Sequence, residues 1–477
     1  MLHAWTVEQI RAAESAALAR TGDQELMRRA AGHVAWAVCD RLDPVTGAEA
    51  VLLVGAGNNG GDALHAGALL RRRGMAVTAV LLDPGRAHAG GLAAFRARRG
   101  RVLAVDGAGG GAVAGVLERA DVVVDGIVGI GARGPLRPDA ARWVDLVPAA
   151  ALRVAVDVPS GLDPDTGTHA GPVFTADVTV TVGGLKPGLL LADDVAGTVL
   201  VADVGFAPKP ADARVEVLTD LDVEALLPDP RTGSDKYTGG VPGIVAGSAQ
   251  YPGAALLCVG GAVRVRPGMV RYAGPQAAAV VARWPEVVAG DDPSRAGQVQ
   301  AWVAGPGMGT DEAALDRLRT VVDADAPVLV DADGLTLLAR HPELLAARRD
   351  RPTVLTPHER EFARIFPDLD LADRLGAVRR AAALAGVTVL LKGHRTLVAE
   401  PGGTVTVNTT GSGWLATAGS GDVLSGVIGS LLAAGLSPAT AAAAGAHLHG
   451  RAGERAAALR AAGAHQLWDL LRVPVQR

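Results

Sequence analysis

A single carboxylate follows a glycine-rich turn at "GSGD", Gly419 to Asp422, and an uncharged, helix-forming stretch comes directly after it. Successive backbone N–H groups in such a turn, at the positive end of a helix, form a binding site for an anion. In phosphoryl transfer, that site stabilises charge on the moving phosphate while a neighbouring carboxylate accepts the proton of the attacking hydroxyl. We therefore predict that Asp422 is a base and that Gly419, Ser420 and Gly421 hold a phosphate. The alternative is a helix-capping Asp after a flexible loop.

A second glycine turn, "GAGNNGGDA" from Gly55 to Ala63, follows an apolar strand and opens a predicted helix. Its glycines allow close backbone approach and the helix N-terminus offers N–H groups, so a phosphate or diphosphate fits there. The spacing is not that of the dinucleotide fingerprint, and the turn lacks the lysine of a P-loop. Asn58 and Asn59 add amide oxygens, which are hard ligands for a cation.

Several predicted strands end in an acidic residue followed by glycine or a turn, among them those at Asp125, Asp157 and Asp331. Ligands bind at the carboxyl ends of strands in open α/β sheets, so these carboxylates suggest sites, although a helix cap explains any one of them equally well. Asp125 and Ser160 are oxygen donors of the type that a cation cage needs. Asp157 and Lys186 are the ionisable groups that we consider for proton transfer.

The composition favours globular domains that act on small molecules. A length of 477 residues exceeds what one hydrophobic core usually serves, so we expect two domains. The chain is 49% apolar and 20% charged, which excludes general disorder. Its net charge of −4 gives no sign of a nucleic-acid or anionic-membrane partner. Cys39 and Cys258 lie far apart and form no disulfide framework or metal-ligand spacing, so we expect reduced thiols.

The N-terminal stretch lacks a basic segment followed by an apolar one, so we see no signal peptide and expect a cytoplasmic location. Two uncharged stretches, residues 241–263 and 425–447, raise the question of a membrane span. Both contain proline and several glycines, which favours buried helices and turns of a soluble protein.

Strand and helix patterns alternate in both halves of the chain. The strands of the first half are uniformly apolar, which predicts a parallel sheet covered on both faces. Residues 207–230 are rich in proline and contain no long apolar run, so we place a domain boundary near residue 215. A second alternation of strands and helices then begins, and it again predicts an α/β domain.

The motifs of the first half resemble, in combination, the NAD(P)H-hydrate epimerase domain: "GAGNNGGDA", "DGIVGIGARGP", "DVPSGLD" and "GLKPG" follow a "LMRRAAG" helix in that order. The resemblance implies a Rossmann-like three-layer domain over residues 1–214 that binds K⁺ and interconverts the R and S hydrates of NADH or NADPH. It implies K⁺ ligands at Asn59, Asp125 and Ser160, and we take Asp157 as a hypothetical catalytic proton carrier. Ala63 stands where the family pattern has glycine. The implied substrate-binding residues are Asn58, Asn59, Gly60, Gly61, Asp62, Gly129, Ile130, Gly131, Ala132, Arg133, Gly134, Pro135 and Asp157.

The motifs of the second half resemble the ADP-dependent NAD(P)H-hydrate dehydratase branch of the ribokinase-like superfamily: "KYTGG", "GSAQYPGAALL", "AGPGMG", "VDADGL", "LTPHEREF", "LKGHRT" and "GSGD". This resemblance implies a ribokinase-like α/β domain over residues 219–477. Arg360 stands where the family more often has glycine. The implied substrate-binding residues are Ala254, Gly307, His358 and the catalytic Asp422. The implied nucleotide-binding residues are Lys392, Gly393, His394, Arg395, Thr396, Gly419, Ser420 and Gly421.

Together the two resemblances imply a metabolite-repair enzyme. The first domain would epimerise NADHX and NADPHX, the hydrated cofactors, and the second would dehydrate the S form with ADP as co-substrate, giving AMP and phosphate. K⁺ and Mg²⁺ are the implied cofactors, and we expect a homo-oligomer without nucleic-acid or membrane partners. The alternative is an ATP-dependent small-molecule kinase fused to a noncatalytic Rossmann-like binding module. A purely structural role would leave two anion-binding turns without a purpose.

Overall fold

The computed structural model describes residues 1–105, 110–131, 134–227, 237 and 239–471. The chain divides into two compact units: an N-terminal unit, His3–Ala213, and a C-terminal unit, Arg214–Arg477 together with Met1–Leu2. Strands and helices alternate in each, so the predicted α/β class is confirmed. Within the described ranges, every helix is too short or too polar to cross a membrane.

The first eight strands along the chain are β1 (Leu2–Ala4), β2 (Glu49–Val54), β3 (Ala76–Leu81), β4 (Arg101–Ala104), β5 (Val122–Gly126), β6 (Leu152–Val156), β7 (Val178–Val182) and β8 (Thr198–Ala202). The helices of the N-terminal unit are α1 (Val7–Thr21), α2 (Asp23–Cys39), α3 (Asn58–Arg72), α4 (Ala89–Ala97), α5 (Gly110–Glu118), α6 (Pro138–Asp145), α7 (Pro187–Leu191) and α8 (Asp193–Ala196). Its main sheet has the order β4-β3-β2-β5-β6-β7-β8, and all neighbouring strands in it are parallel. The predicted parallel sheet is therefore confirmed.

Strand β2 shows how this sheet is covered on both faces. Ala50, Leu52 and Val54 pack in a cluster with residues of α2 and α3, whereas Val51 and Leu53 pack in a cluster with residues of α5 and α6. Successive side chains of a strand point to opposite faces, so an unbroken apolar run supplies both layers. The same parallel arrangement brings the carboxyl ends of β2, β3, β5, β6 and β7 to one edge of the sheet.

The C-terminal unit contains the strands β9 (Val215–Val217), β10 (Pro242–Val245), β11 (Arg271–Ala273), β12 (Val288–Gly290), β13 (Ala301–Ala304), β14 (Val328–Val330), β15 (Thr353–Leu355), β16 (Thr388–Leu391), β17 (Thr396–Ala399) and β18 (Val405–Asn408). Its helices are α9 (Asp220–Leu226), α10 (Pro252–Arg264), α11 (Ala277–Arg283), α12 (Glu312–Asp323), α13 (Ala332–Arg340), α14 (Pro342–Ala346), α15 (Glu359–Ile365), α16 (Arg374–Ala385), α17 (Ser420–Ala433), α18 (Pro438–Ala458) and α19 (Leu467–Leu470). The two uncharged stretches of the sequence form β10 with α10, and most of α17 with the first half of α18.

The sheet of the C-terminal unit is mixed. Its strands follow the order β9-β18-β17-β16-β15-β14-β13-β10-β11-β12, and those from β16 to β12 are parallel neighbours. Strands β17 and β18 form an antiparallel hairpin beside β16, which the alternation of strands and helices does not predict. Helix α17 is buried, as the apolar sequence predicts, and its Val427, Ile428 and Leu431 are 0% exposed.

Candidate active sites

A cavity of about 880 Å³ lies at the carboxyl edge of the N-terminal sheet. This volume falls in the upper part of the roughly 300–1,000 Å³ that small-molecule sites occupy. Nine of the predicted substrate-binding residues line the cavity: Asn58, Asn59, Asp62, Gly129, Ile130, Gly131, Gly134, Pro135 and Asp157. They follow β2, β5 and β6, so residues that the sequence places near the ends of three strands meet at one cavity.

Two further predicted substrate residues, Gly60 and Gly61, contribute no wall to this cavity. Gly60 and Gly61 are buried in the first turn of α3, where Gly60 packs against the backbone of Gly55 and Gly61 against the ring of His88. They allow close packing of the helix start. Ala132 and Arg133 lie outside the described residues.

Asp157 is held firmly at the wall of the cavity. It follows β6 with a φ of +69°, in the left-handed region, and it is 8% exposed. Its Oδ1 accepts from Lys186 Nζ at 2.5 Å and from the N–H of Val182 at 3.1 Å. Its Oδ2 accepts from the N–H of Ile130 at 3.2 Å, which connects it to the loop after β5. Asp157 and Lys186, considered together from the sequence, are therefore in direct contact.

The carboxylate of Asp125 is fully buried at the end of β5. Ser160 donates to it twice, from its N–H at 2.8 Å and from its Oγ at 2.7 Å, and the N–H of Ile127 donates at 3.1 Å. Burial raises the pKa of Asp125 to about 6, against the opposing effect of these hydrogen bonds. In the part of the chain that the structure describes, Asp125 forms no ion pair, so its charge lacks a counter-ion.

A monovalent cation on oxygen ligands would supply that counter-charge. Asn59 lies close to this strand end, since its backbone carbonyl oxygen is 3.1 Å from the position that a Cβ on Gly126, the neighbour of Asp125, would take. Among the described residues, its buried Nδ2 has no hydrogen-bond partner; as a donor it suits an acceptor atom of a substrate, whereas the Oδ1 of the same amide suits a cation. The described residues contain no group of three or more His, Cys, Asp or Glu suited to a metal ion, but a site with amide and hydroxyl oxygens differs from that type. The residues Asn59, Asp125 and Ser160 thus fit a hard cation such as K⁺.

Ala63, which replaces a family glycine, is accommodated. Its methyl group is fully buried and faces Gly126 of β5, where a Cβ would lie only 2.5 Å from that methyl group. The absent side chain at Gly126 therefore makes room for the extra carbon at Ala63.

In the C-terminal unit, Asp331 organises the end of the sheet. It directly follows β14, is 1% exposed, and accepts from Lys392 Nζ at 2.8 Å and from Ser425 Oγ at 2.7 Å. Sequence reasoning singled out Asp331 and Lys392 but missed Ser425, which lies 94 residues away from Asp331 along the chain. An interior serine of an apolar helix is the signal that would have found it, because a buried hydroxyl requires a partner.

Helix α17 begins at the predicted anion site. Gly419 caps the helix with a φ of +86°, a conformation that favours glycine. The N–H of Ser420 donates to the carbonyl of Thr417 at 3.2 Å, so it is already used. The next two N–H groups, of Gly421 and Asp422, have no acceptor within the helix because they belong to its first turn. Within the predicted cradle, the N–H of Gly421 is therefore available to an anion, and the N–H of Asp422 lies next to it.

The carboxylate of Asp422 lies beside this cradle and close to the charges around Asp331. The pKa of Asp422 is raised to about 7, chiefly by burial and also by Asp331 and Asp333, while Lys392 acts in the opposite direction. Lys392 is 22% exposed, and its Nζ lies 3.6 Å from the position of a Cβ on Gly421. Burial by itself lowers the pKa of Lys392, but the neighbouring carboxylates, chiefly Asp331 and Glu361, outweigh it and leave the pKa raised. A protonated lysine and a carboxylate that titrates near neutrality thus meet at the start of α17.

His449 is a supporting residue that the sequence analysis did not identify. It lies in α18, is 6% exposed, and its Nε2–H donates to the carbonyl of Ser420 at 2.9 Å. Burial lowers its pKa to about 4 despite the opposing effect of that hydrogen bond. A neutral imidazole therefore fixes the first peptide of α17, and the polar "HLH" within an apolar helix is the signal that could have revealed it.

Two of the predicted nicotinamide-facing residues, Ala254 and Gly307, are brought together. Gly307, in the turn after β13, has a φ of +58°, and a Cβ there would lie 2.6 Å from the Cβ of Ala254 on α10. One turn further along α10, Cys258 has a pKa raised by burial and then by Asp422 and Asp331. The same side of α10 therefore connects Ala254 to the surroundings of Asp422.

His358 has a capping role in addition to any contact with substrate. Its Nδ1 accepts from the N–H groups of Arg360 and Glu361 at 3.1 and 3.3 Å, at the start of α15. Its side chain is half exposed, and its Nε2 lies 3.4 Å from Glu361 Oε1. Arg360 is exposed, so the departure from glycine adds its bulk on the outside of the helix.

The predicted nucleotide-binding residues from Lys392 to Arg395 form the connection between β16 and β17, and Thr396 is the first residue of β17. Arg374 holds this segment by donating to the carbonyls of Lys392 at 3.2 Å and Arg395 at 3.0 Å. Arg395 in turn donates to the carbonyl of Thr409 at 2.6 Å. Gly393 and His394 lie in the same turn, and Lys392 places its ammonium group beside Gly421. Lys392 therefore links this segment to the start of α17.

Comparison with known proteins yields two family matches. Residues 23–188 match the family described as YjeF-related protein N-terminus, and residues 242–472 match the family described as NAD(P)H-hydrate dehydratase. Among solved structures, an ADP/ATP-dependent NAD(P)H-hydrate dehydratase from Bacillus subtilis, co-crystallised with ATP and Mg²⁺, is 29% identical with a TM-score of 0.47. That match covers 54% of this chain and 96% of that one.

Two named relatives match nearly the whole chain, and both are bifunctional NAD(P)H-hydrate repair enzymes. The relative from Mycobacterium tuberculosis is 51% identical over 448 residues, which cover 93% of this chain and 92% of the relative. The relative from Mycobacterium leprae is 50% identical over 463 residues, covering 96% and 95%. Because both relatives match more than nine-tenths of the chain at 50% identity or more, the chain belongs to the family of bifunctional NAD(P)H-hydrate repair enzymes.

Proposed function

We propose that this chain restores hydrated NADH and NADPH to their reduced forms through two activities. Residues 1–214 form an epimerase that interconverts the R and S hydrates, and residues 219–477 form an ADP-dependent dehydratase that acts on the S hydrate. Family membership supports both activities. The division into two compact units supports the assignment of one activity to each.

The dehydratase reaction rests on one observation: a carboxylate with a pKa of about 7 lies at the first turn of α17, where two N–H groups have no helical acceptor. Asp422 takes the proton of the hydrate's hydroxyl while that oxygen attacks the β-phosphorus of ADP and AMP leaves. The C–O bond then breaks with its electron pair on phosphate, and a neighbouring ring carbon loses a proton as the double bond forms. Phosphorylation is needed because hydroxide is a poor leaving group.

The other residues of this site bind and orient. The N–H groups of Gly421 and Asp422, together with Lys392, stabilise the charge on the moving phosphoryl group. Lys392 to Thr396 hold the nucleotide, with Gly419, Ser420 and Gly421 at the phosphate, and Ala254, Gly307 and His358 face the hydrated nicotinamide. Mg²⁺ bound to the nucleotide phosphates would neutralise part of their charge, as is usual in phosphoryl transfer.

The epimerase reaction takes place in the cavity of the N-terminal unit. Asn58 to Asp62 and Gly129 to Pro135 bind the hydrate, and Asp157 is the candidate proton carrier at the cavity wall. Asn59, Asp125 and Ser160 would hold K⁺, whose charge would balance that of the buried Asp125. We further propose a cytoplasmic location and a homo-oligomeric state.

The test uses a mixture of R and S NADH hydrates with the full chain, ADP, Mg²⁺ and K⁺. We expect recovery of the reduced-nicotinamide absorbance together with AMP and phosphate. Asp422→Asn abolishes this recovery and leaves exchange between the epimers intact, whereas Asp157→Asn abolishes the exchange. Asp325 offers a matched control, because Asp325→Asn makes the same chemical change at a fully exposed carboxylate. A stable phosphorylated product formed from ATP, without recovered absorbance, would instead identify a small-molecule kinase.

A further inference from the structure

The cavity of the N-terminal unit extends beyond the glycine turn to the end of β3. Asp83, Pro84 and Arg86 line it at that end, and Asp157 lines it at the end of β6. In the sheet, β3 and β6 are separated by β2 and β5, which is three strand spacings. At about 4.8 Å for each spacing, the two ends lie roughly 14 Å apart, which suits an elongated ligand rather than a single ring.

The segment after β3 presents two opposite charges to this end of the cavity. Asp83 precedes a single 3₁₀ turn, Pro84–Arg86, in which the proline restricts the backbone. Arg86 Nη1 lies 3.9 Å from Asp83 Oδ2, and the side chains are 67% and 38% exposed. An ion pair this long and this exposed is weak, so either partner is available to a ligand at little cost.

The position of this pair in the sheet has a known chemical use. In doubly wound dinucleotide sites, the phosphate-binding turn follows the first strand. An acidic residue at the end of the next strand binds the 2′-hydroxyl of the adenosine ribose, and a nearby arginine accommodates a 2′-phosphate. Here the glycine turn follows β2, and Asp83 and Arg86 follow β3, the next strand along the chain and the neighbour of β2 in the sheet.

We propose that Asp83 and Arg86 form the adenosine-ribose subsite of the epimerase cavity and decide between the hydrates of NADH and NADPH. The inference rests on the proposed function, because the ligand is the hydrated dinucleotide. With its hydrated ring at Asp157, the dinucleotide spans the cavity and places its 2′ position at the end of β3. Asp83 binds the free 2′-hydroxyl of the NADH form, and Arg86 binds the 2′-phosphate of the NADPH form.

The test compares Asp83→Asn and Arg86→Gln in the full chain, with Asp194→Asn and Arg96→Gln as exposed controls in the same unit. Epimerisation of the R hydrates of NADH and NADPH gives kcat/KM for each. We expect Arg86→Gln to lower kcat/KM for the NADPH hydrate about tenfold and to leave the NADH hydrate within twofold. We expect Asp83→Asn to shift the ratio of the two values toward the NADPH hydrate by a similar factor.

Binding of ADP-ribose and 2′-phospho-ADP-ribose by calorimetry provides a second, non-catalytic measurement. If the C-terminal unit also binds these probes, that binding is the same in all variants and does not affect the differences between them. The same changes of ratio in the absence of epimerisation would support the subsite and reject the epimerase assignment. Equal effects of each substitution on the two hydrates and on the two probes would overturn the subsite.

Discussion

Lys186 Nζ lies 2.5 Å from Asp157 Oδ1, and the lysine side chain is completely buried. The ammonium group also donates to Thr181 Oγ1 at 2.8 Å and to the carbonyl of Val182 at 2.7 Å. An ammonium group has three hydrogens, so these contacts use its full donor capacity. Lys186 therefore holds the carboxylate of Asp157 at the cavity wall, and Asp157 is the better candidate for contact with a substrate.

Replacement of Lys186 by methionine should therefore damage both stability and epimerisation. Loss of one partner from a buried ion pair typically costs about 3–5 kcal/mol, since the remaining charge is left uncompensated. We expect the N-terminal unit to unfold at lower denaturant concentration and epimerisation to fall at least about 100-fold, in line with the contribution of acid–base catalysis. Lys209→Met removes an exposed lysine of the same unit and serves as the control.

The double variant Lys186→Met with Asp157→Asn separates the two effects. It contains no unpaired buried charge, so we expect it to regain much of the lost stability while remaining inactive as an epimerase. Recovery of activity in the double variant would contradict a catalytic role for Asp157.

The dehydratase activity should depend on pH through Asp422. Its pKa, raised to about 7 mainly by burial, means that the carboxylate form required of a base decreases below neutrality. We expect kcat/KM for dehydration of the S hydrate to rise about tenfold per pH unit below pH 7 and to level off above it. Epimerisation, measured in the same samples, reports on the other unit and corrects for loss of folded protein. A dehydration profile that stays flat from pH 5 to 8 would contradict Asp422 as the base.

Asp422→Asn should make the C-terminal unit more stable while abolishing dehydration. Between about pH 4 and pH 7, Asp422 is largely protonated in the folded state, whereas in the unfolded chain, with an ordinary carboxyl pKa, it is largely ionised. The free energy of unfolding therefore decreases as pH rises through that window. Asparagine removes this effect, so we expect stabilisation on the order of 1–3 kcal/mol at pH 8 and almost none at pH 4. Urea unfolding at the two pH values measures the difference, with Asp325→Asn as the control. An equal change in the free energy of unfolding at pH 4 and pH 8 would show that ionised Asp422 does not destabilise the folded state.

The site residues that sequence reasoning identified lie near the ends of strands, whereas those that it missed lie within helices. Asp125 and Ser160 were singled out as oxygen donors near the ends of neighbouring strands, but only the family resemblance joined them into one cation site. Ser425 and His449 reach the second site from the interior of α17 and α18, so their contacts depend on how helices pack against the sheet. Such packing joins residues distant in sequence, and no local pattern of a single chain encodes it. Family motifs compensated for this limit at Lys392, where spacing alone predicts nothing.

The epimerase unit should be stabilised specifically by K⁺. A cation that binds only the folded state raises stability by about 2.7 kcal/mol at one hundred times its dissociation constant. We expect the melting transition of the N-terminal unit to occur at higher temperature in KCl than in choline chloride of equal ionic strength. Asp125→Asn should remove this difference, because it replaces the buried carboxylate that balances the cation.

The stability of Asp125→Asn should also differ from that of the unmodified chain when K⁺ is absent. Without a bound cation, the buried charge of Asp125 is opposed only by neutral donors from Ser160 and Ile127, so its replacement by asparagine relieves a desolvation cost. In choline chloride, Asp125→Asn should therefore be at least as stable as the unmodified chain, and in KCl it should be less stable. Asp194→Asn, an exposed change in the same unit, should preserve the full response to K⁺. A response to K⁺ that survives in Asp125→Asn would place the cation elsewhere in the protein.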